Sequence, residues 1–376
     1  MADALRALGV DIVDDVTDWV VTPAPLRGPC DIDCGLAGTV MRFVPPLAAL
    51  ADGEVRFDGN PRARERPLSP LLDALGQLGV AVDHGGRGGL PLVVHGKGSV
   101  AGGTVDIDAS TSSQFVSALL LSGARYQAGV TVRHSADAAG GPLPSRPHVA
   151  MTIAMLRERG VPADAAGAGA WRVAPSVITA RDVRVEPDLS NAAPFVAAAL
   201  VTNGRVAVPA WPLRTHQPGD RLRALLTAAG GSVALGSEGV SFSGGGAVHG
   251  FDVDLRDAGE LVPVLTALAA LADGPSRLRG IAHLRGHESD RLAALASEIN
   301  NLGGDVSETP DGLAIRPRPL RAGTLHSHGD HRIAQAGAVL GLVVPGLLVR
   351  DVTATDKTLP DFVGRWERML AGRASG

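Results

Sequence analysis

Aromatic residues make up only 3% of the 376-residue chain, and cysteine occurs just twice, at Cys30 and Cys34. So few rings argue against a surface built to stack nucleobases. No Cys/His partners stand at metal-binding spacing around the two cysteines. They read as small buried residues beside a strand, in a reduced cytoplasmic setting. The net charge is −4 and there is no basic run, which argues against a dedicated nucleic-acid binder. The longest apolar stretches, 261–271 and 334–344, are too short and too interrupted to span a bilayer. The opening Met1-Ala2-Asp3-Ala4-Leu5-Arg6 reads as an amphipathic helix, not a signal peptide.

What the chain does have is 45% hydrophobic residues over a length that suits two domains. It also has a recurring landmark: an amphipathic helix stopped by glycine and followed by a hairpin. The stops are Gly9, Gly79, Gly160, Gly230, Gly303 and, in a weaker copy, Gly372, at intervals of roughly 70 to 80 residues. A left-handed glycine ends each helix. Between stops the pattern is strand, helix, strand, helix, strand, strand, so the expected fold is α/β (α+β) with six β-α-β-α-β-β repeats. The first repeat begins at its second helix. By comparison with the second it lacks roughly 40 residues or more, and the expectation is a misassigned start or a shortened protein. In each repeat a strand ending in polar residues runs into a helix start, as in Asp106-Ile107-Asp108, Glu186-Pro187-Asp188 and His326-Ser327-His328. Helix starts bind anions through free N–H groups, and several converging would make an anion-selective cleft.

Charge is gathered in three clusters: His287-Glu288-Ser289-Asp290-Arg291, Gly329-Asp330-His331-Arg332 and Lys357-Thr358-Leu359-Pro360. Each reads either as a set of surface salt bridges or as a site for a small polyanion, which guanidinium forks bind bidentately.

Together with Leu36-Ala37-Gly38-Thr39-Val40-Met41-Arg42, Arg64-Glu65-Arg66-Pro67 and Ser112-Ser113-Gln114-Phe115, these clusters resemble the 5-enolpyruvylshikimate-3-phosphate (EPSP) synthase family in order and spacing along the whole chain. The resemblance implies two domains, each of three repeats, closing on substrate with the active site in the cleft between them. An N-terminal lobe of 1–213 would serve shikimate 3-phosphate. A C-terminal lobe of 214–376 would carry the phosphoenolpyruvate cage and the acid–base residues, with a hinge near 212–219. The implied reaction transfers the enolpyruvyl group of phosphoenolpyruvate to the 5-hydroxyl of shikimate 3-phosphate and releases phosphate. It proceeds by addition and elimination, with no metal or organic cofactor, in a cytoplasmic monomer whose partners are those two small molecules and neither nucleic acid nor membrane.

Position by position, the resemblance implies that Ser112, Ser113, Gln114, Ser145, Glu260 and His287 bind shikimate 3-phosphate. Gly38, Arg66, Gln114, Arg291, Arg332 and Lys357 would bind phosphoenolpyruvate. Glu260 and Glu288 match the acid–base pair, one to take the 5-hydroxyl proton and one to protonate C3. His283 would lie near the same substrate, and His331 precedes a cage arginine. The family's N-terminal Lys-Ser-x-x-x-Arg motif has no counterpart here, so the resemblance implies weak activity or none for a chain lacking it. Two alternatives stay open at this point. One is a shortened paralogue that binds anions without turnover. The other is the related enolpyruvyl transferase acting on UDP-N-acetylglucosamine, which typically uses a loop cysteine as general acid.

Overall fold

The computed structural model describes residues 1–135, 143–237 and 239–372. Its elements follow the expected order in full in the second, third and fifth repeats, while among the described residues the fourth lacks the first strand and the sixth the last two strands. The first holds α1 (Ala2–Ala7), β1 (Asp11–Asp15) and β2 (Asp18–Thr22). The second holds β3 (Cys30–Asp33), α2 (Gly38–Ala48), β4 (Asp52–Asp58), α3 (Pro61–Arg64), α4 (Ser69–Gln77), β5 (Ala81–Asp83) and β6 (Leu92–Lys97). The third holds β7 (Gly103–Ile107), α5 (Gln114–Gly123), β8 (Val130–His134), α6 (Arg146–Glu158), β9 (Ala163–Ala165) and β10 (Ala170–Val173). The fourth holds α7 (Leu189–Val201), β11 (Arg205–Pro209), α8 (Leu222–Ala228), β12 (Ser232–Gly236) and β13 (Gly239–Ser243). The fifth holds β14 (Asp252–Asp254), α9 (Val262–Ala270), β15 (Ser276–Arg279), α10 (Arg291–Asn301), β16 (Val306–Thr309) and β17 (Gly312–Ile315). The sixth holds β18 (Gly323–His326), α11 (His331–Gly341), β19 (Leu347–Arg350) and α12 (Phe362–Leu370).

All six stop glycines have the left-handed backbone the pattern requires, with φ between 70° and 96°. Three sheets share one order, β3-β4-β6-β5, β7-β8-β10-β9 and β14-β15-β17-β16. In each, the first pair is parallel and the rest antiparallel. One face of each sheet is apolar and turned to the helices; the other is polar, as where Arg133 on β8 forks onto Asp106 of β7 with two bonds of 2.9 Å. In the first repeat, β1 and β2 pair only with each other, leaving Val13, Trp19, Val20 and Val21 exposed.

Two expectations need correction. Glu186-Pro187-Asp188 does not end a strand: residues 174–188 form none, and the fourth sheet has three strands, β11-β13-β12. Pro187 cannot donate to a ladder, and Val183 and Val185 point to solvent. The chain also divides earlier than 213/214. Its two compact units are Met1–Asp182 and Val183–Gly376. The Pro- and Gly-rich 212–219 loop is not the divide, because Gln217 is bound back to the start of α7, accepting from Leu189 N at 3.1 Å. Leu189, Val196 and Leu200 of α7 lie in the second unit's core with Trp211, Leu222 and Leu226. The first unit has its own core around Phe57, Leu75, Phe115, Tyr126 and Val132.

Candidate functional site

In the first unit the candidates sit at helix starts. Gly38 is the first residue of α2, with no side-chain cap before it. The Arg66 guanidinium lies directly over it: a β-carbon added at Gly38 would stand 3.1 Å from Arg66 Nη1 and 3.3 Å from Nη2. A cation against the positive end of a helix is unfavourable unless an anion joins the two. Arg66 Nε is buried and has no hydrogen-bond partner among the described residues. Gln114 opens α5, and its Oε1 accepts from Arg42 Nη1 at 2.7 Å, while the Arg42 guanidinium stands 5.4 Å from the Phe115 ring centre. Ser112 Oγ accepts from Gln114 N at 3.3 Å, so part of its capping role is realised. Ser113, at the cap position of α5, is buried and makes no side-chain cap bond. Ser145 caps α6 in a left-handed backbone with φ 52° and likewise leaves its hydroxyl uncommitted to the helix. Thr152 Oγ1 donates to Ser117 Oγ at 2.9 Å, holding α6 against α5.

In the second unit three candidates, Glu288, Arg291 and Lys357, form one ion network with Asp330. Glu288 spans two cations, with Oε2 3.0 Å from Arg291 Nη2 and Oε1 2.9 Å from Lys357 Nζ. Behind Arg291 stands Asp330, fully buried, accepting from Arg291 Nε at 2.8 Å and Nη2 at 3.3 Å. Asp330 also accepts from Ser289 Oγ at 3.1 Å and caps α11 through Arg332 N at 2.9 Å. Burial alone would raise the Glu288 carboxyl, but Arg291 and Lys357 outweigh it and hold the group well below the usual range. The same contest, settled by Arg291, leaves Asp330 below its ordinary value.

Arg332 is the exception in this network. It is buried, its Nη1 donates to the Ser190 carbonyl at 2.7 Å, and its Nε has no partner. Among the described residues no carboxylate lies within ion-pair distance of it. Burial pulls its pKa below the ordinary arginine value. A desolvated cation with no carboxylate beside it favours an anionic ligand.

The three histidines of this cluster, His283, His287 and His331, are all held below the usual imidazole range. Desolvation, with Arg291 adding to it, takes His287 down to about 3. Desolvation and Arg332 take His331 to about 4, and burial lowers His283 as well. His287 Nδ1 stands 3.2 Å from Arg291 Nη1, a donor, so the proton of the neutral ring belongs on Nε2. The His283 and His287 rings meet edge to face at 5.8 Å. Glu260 lies in the turn Gly259–Leu261 that leads into α9, and its charge acts on His283.

Two residues of this network carry no role in the sequence reading. Asp330 stands there only as part of a motif, and Asn191 is passed over. Asn191 Nδ2 donates to the Thr358 carbonyl at 3.2 Å and to Asp188 Oδ2 at 2.9 Å, and its Oδ1 accepts from Gln335 at 3.2 Å. It thereby ties the segment after Lys357 to α7 and α11. An asparagine in an apolar helix run, as in Leu189–Val201, is the signal that could have found it. Cys34 is buried, with its thiol pushed up to about 12, chiefly by desolvation. Among the described residues no group of His, Cys, Asp and Glu could hold a metal ion, and no helix is long and apolar enough to cross a membrane.

The EPSP synthase (3-phosphoshikimate 1-carboxyvinyltransferase) family model matches residues 1–366. A 3-phosphoshikimate 1-carboxyvinyltransferase of Kocuria rhizophila is 56% identical over 380 residues, covering 98% of this chain and 85% of the relative. A solved structure of EPSP synthase from Acinetobacter baumannii superimposes with a TM-score of 0.78 at 24% identity, covering 98% of this chain and 86% of that one. A second, also from that organism, gives 0.76 at 23% identity with the same coverage. At such identities the two structures speak for the fold.

Proposed function

The chain belongs to the EPSP synthase (3-phosphoshikimate 1-carboxyvinyltransferase) family, and from that premise we propose how its own residues divide the work. The family's reaction is a transferase step of the shikimate pathway: the enolpyruvyl group of phosphoenolpyruvate passes to the 5-hydroxyl of shikimate 3-phosphate. Arg291, Arg332, Lys357, Arg66 and the backbone at Gly38 hold phosphoenolpyruvate. Ser112, Ser113, Ser145 and the Nε2–H of His287 hold shikimate 3-phosphate, with Gln114 serving both.

The observation that carries this reading is the state of the cations in the second unit. Arg332 is buried without a carboxylate, Glu288 bridges Arg291 and Lys357, and Asp330 holds Arg291 from behind. Such a cluster is preorganised for a multiply charged anion and stabilises the phosphate as it leaves. It also explains how Glu288 acquires a proton. Its two cations hold its carboxyl well below the usual range. Phosphoenolpyruvate competes for those cations, and the carboxyl pKa then rises. Glu288 can thus carry the proton that goes to C3, while Glu260 takes the proton of the attacking 5-hydroxyl. Elimination reverses the C3 step: the proton returns to Glu288 as the bond from C2 to the phosphate oxygen breaks.

The family assignment does not favour the UDP-N-acetylglucosamine and non-catalytic alternatives. Titration calorimetry tests the division of labour. Lys357→Met is expected to weaken phosphoenolpyruvate binding on the order of tenfold or more with shikimate 3-phosphate binding unchanged, and Ser145→Ala the reverse. Equal losses for both ligands in both variants would refute it.

A further inference from the structure

We propose that Glu298, which touches neither proposed substrate, is a positioning residue that sets the Arg291–Asp330 pair by fixing the turn between β18 and α11. The proposal rests on the reading of that pair as part of the phosphoenolpyruvate cage. Glu298 lies two turns along α10 from Arg291, so the two side chains project from one face of the helix. It is buried, at 4% exposure. A carboxylate in that position is costly unless donors meet it, and both oxygens are met by the same turn. Oε2 accepts from His326 N at 2.9 Å, and Oε1 stands 2.8 Å from His328 Nε2.

The turn between those contacts is an uncommon one. His328 has φ 55° and Gly329 φ 68°, two left-handed residues in succession, the first with a branched ring side chain. Such a backbone persists only where its surroundings over-determine it. Ser327, fully buried, supplies part of that: its Oγ accepts from Gly329 N at 3.2 Å and donates to the Asp351 carbonyl at 3.2 Å, and its carbonyl accepts from Asp330 N at 2.9 Å. Glu298 adds a contact at His326 N and another at the His328 ring. The helix therefore grips the turn twice, through Glu298 where β18 ends and through Arg291 at Asp330, where α11 begins. Asp330 reaches Arg291 and caps α11 beside Arg332 because the intervening residues hold this shape.

The test compares Glu298→Ala and Glu298→Gln with Asn300→Ala. Asn300 is the control: on the same helix, its side chain makes two bonds, at 2.8 and 2.7 Å, both to the Val306 backbone and none to the turn. Two readouts are taken well below the melting temperature. The first is the rate at which phenylglyoxal modifies Arg291, followed by peptide mass spectrometry. The second is the split between KM for phosphoenolpyruvate and kcat. Glu298→Ala is expected to raise both the Arg291 modification rate and that KM on the order of tenfold. Glu298→Gln should show smaller rises in the same direction, and it carries the test alone if the alanine variant does not fold. Asn300→Ala should lower the melting temperature and move neither readout. Arg291 reactivity equal to that of the unaltered protein in both Glu298 variants would overturn the proposal, whatever their melting temperatures. The modification rate is read without turnover. A protein that fails to use phosphoenolpyruvate would refute the functional reading, while Arg291 reactivity still decides the role of Glu298.

Discussion

Removing the Asp330 carboxylate should unbalance the second unit more than any surface change. Arg291 is 2% exposed and Asp330 not at all, so Asp330→Ala strands a guanidinium where water cannot reach it. Breaking one side of a buried pair costs about 3–5 kcal/mol. The same substitution removes the α11 cap at Arg332 N, worth about 1 kcal/mol. Glu288 still faces Arg291, which keeps the pair term toward its lower end, so the expected loss is about 4 kcal/mol. Urea denaturation measures it, with Arg291→Met and the double variant completing a cycle. If the charges carry the effect, the double variant recovers part of the loss, with a coupling of about 2 kcal/mol or more. A coupling near zero would mean that only the cap mattered, and a total loss under about 1 kcal/mol would refute the buried-pair argument altogether.

Arg332→Leu should separate function from stability in the opposite way. It removes a buried cation that has no carboxylate, so the melting temperature should hold or rise, while phosphoenolpyruvate KM increases on the order of 100-fold; a fall of several degrees would contradict this. Gly38→Ala places a β-carbon 3.1 Å from Arg66 Nη1, so that guanidinium must shift. Steady-state kinetics should show roughly a tenfold higher phosphoenolpyruvate KM, with stability within about 0.5 kcal/mol. His287 and His331 are lowered to about 3 and about 4 in the folded protein. Between those values and the ordinary 6.5 the unfolded chain binds protons that the folded one does not. Stability is therefore full above pH 6.5 and falls with acidification, by about 1.4 kcal/mol per pH unit for each histidine. A melting temperature that stays flat from pH 7 to pH 5 would contradict that sign.

Much of the fold was legible because its punctuation is local. A glycine after an amphipathic helix announces a left-handed stop, and all six adopt it. The boundary between units was not legible. The Pro- and Gly-rich loop at 212–219 looks like a linker, and only tertiary packing joins α7 to the core that Trp211, Leu222 and Leu226 share. The site was legible as a set of motifs but not in its wiring. Arg291 and Asp330 lie 39 residues apart, and Glu288 and Lys357 69 apart. Nothing in the spacing says which carboxylate meets which cation, or that Arg332 is the one left over. Glu298 reads as an ordinary polar residue in a helix. Its only sequence signal is its place on the same face as Arg291 and Leu295, among residues that are buried.

The most direct test of the account is phosphate release from phosphoenolpyruvate, measured with and without shikimate 3-phosphate, in the protein and in Glu288→Gln. The account predicts release that requires both substrates, matches the enolpyruvyl ether formed mole for mole, and falls on the order of 100-fold or more in the variant. Release from phosphoenolpyruvate alone, or release undiminished in Glu288→Gln, would contradict it.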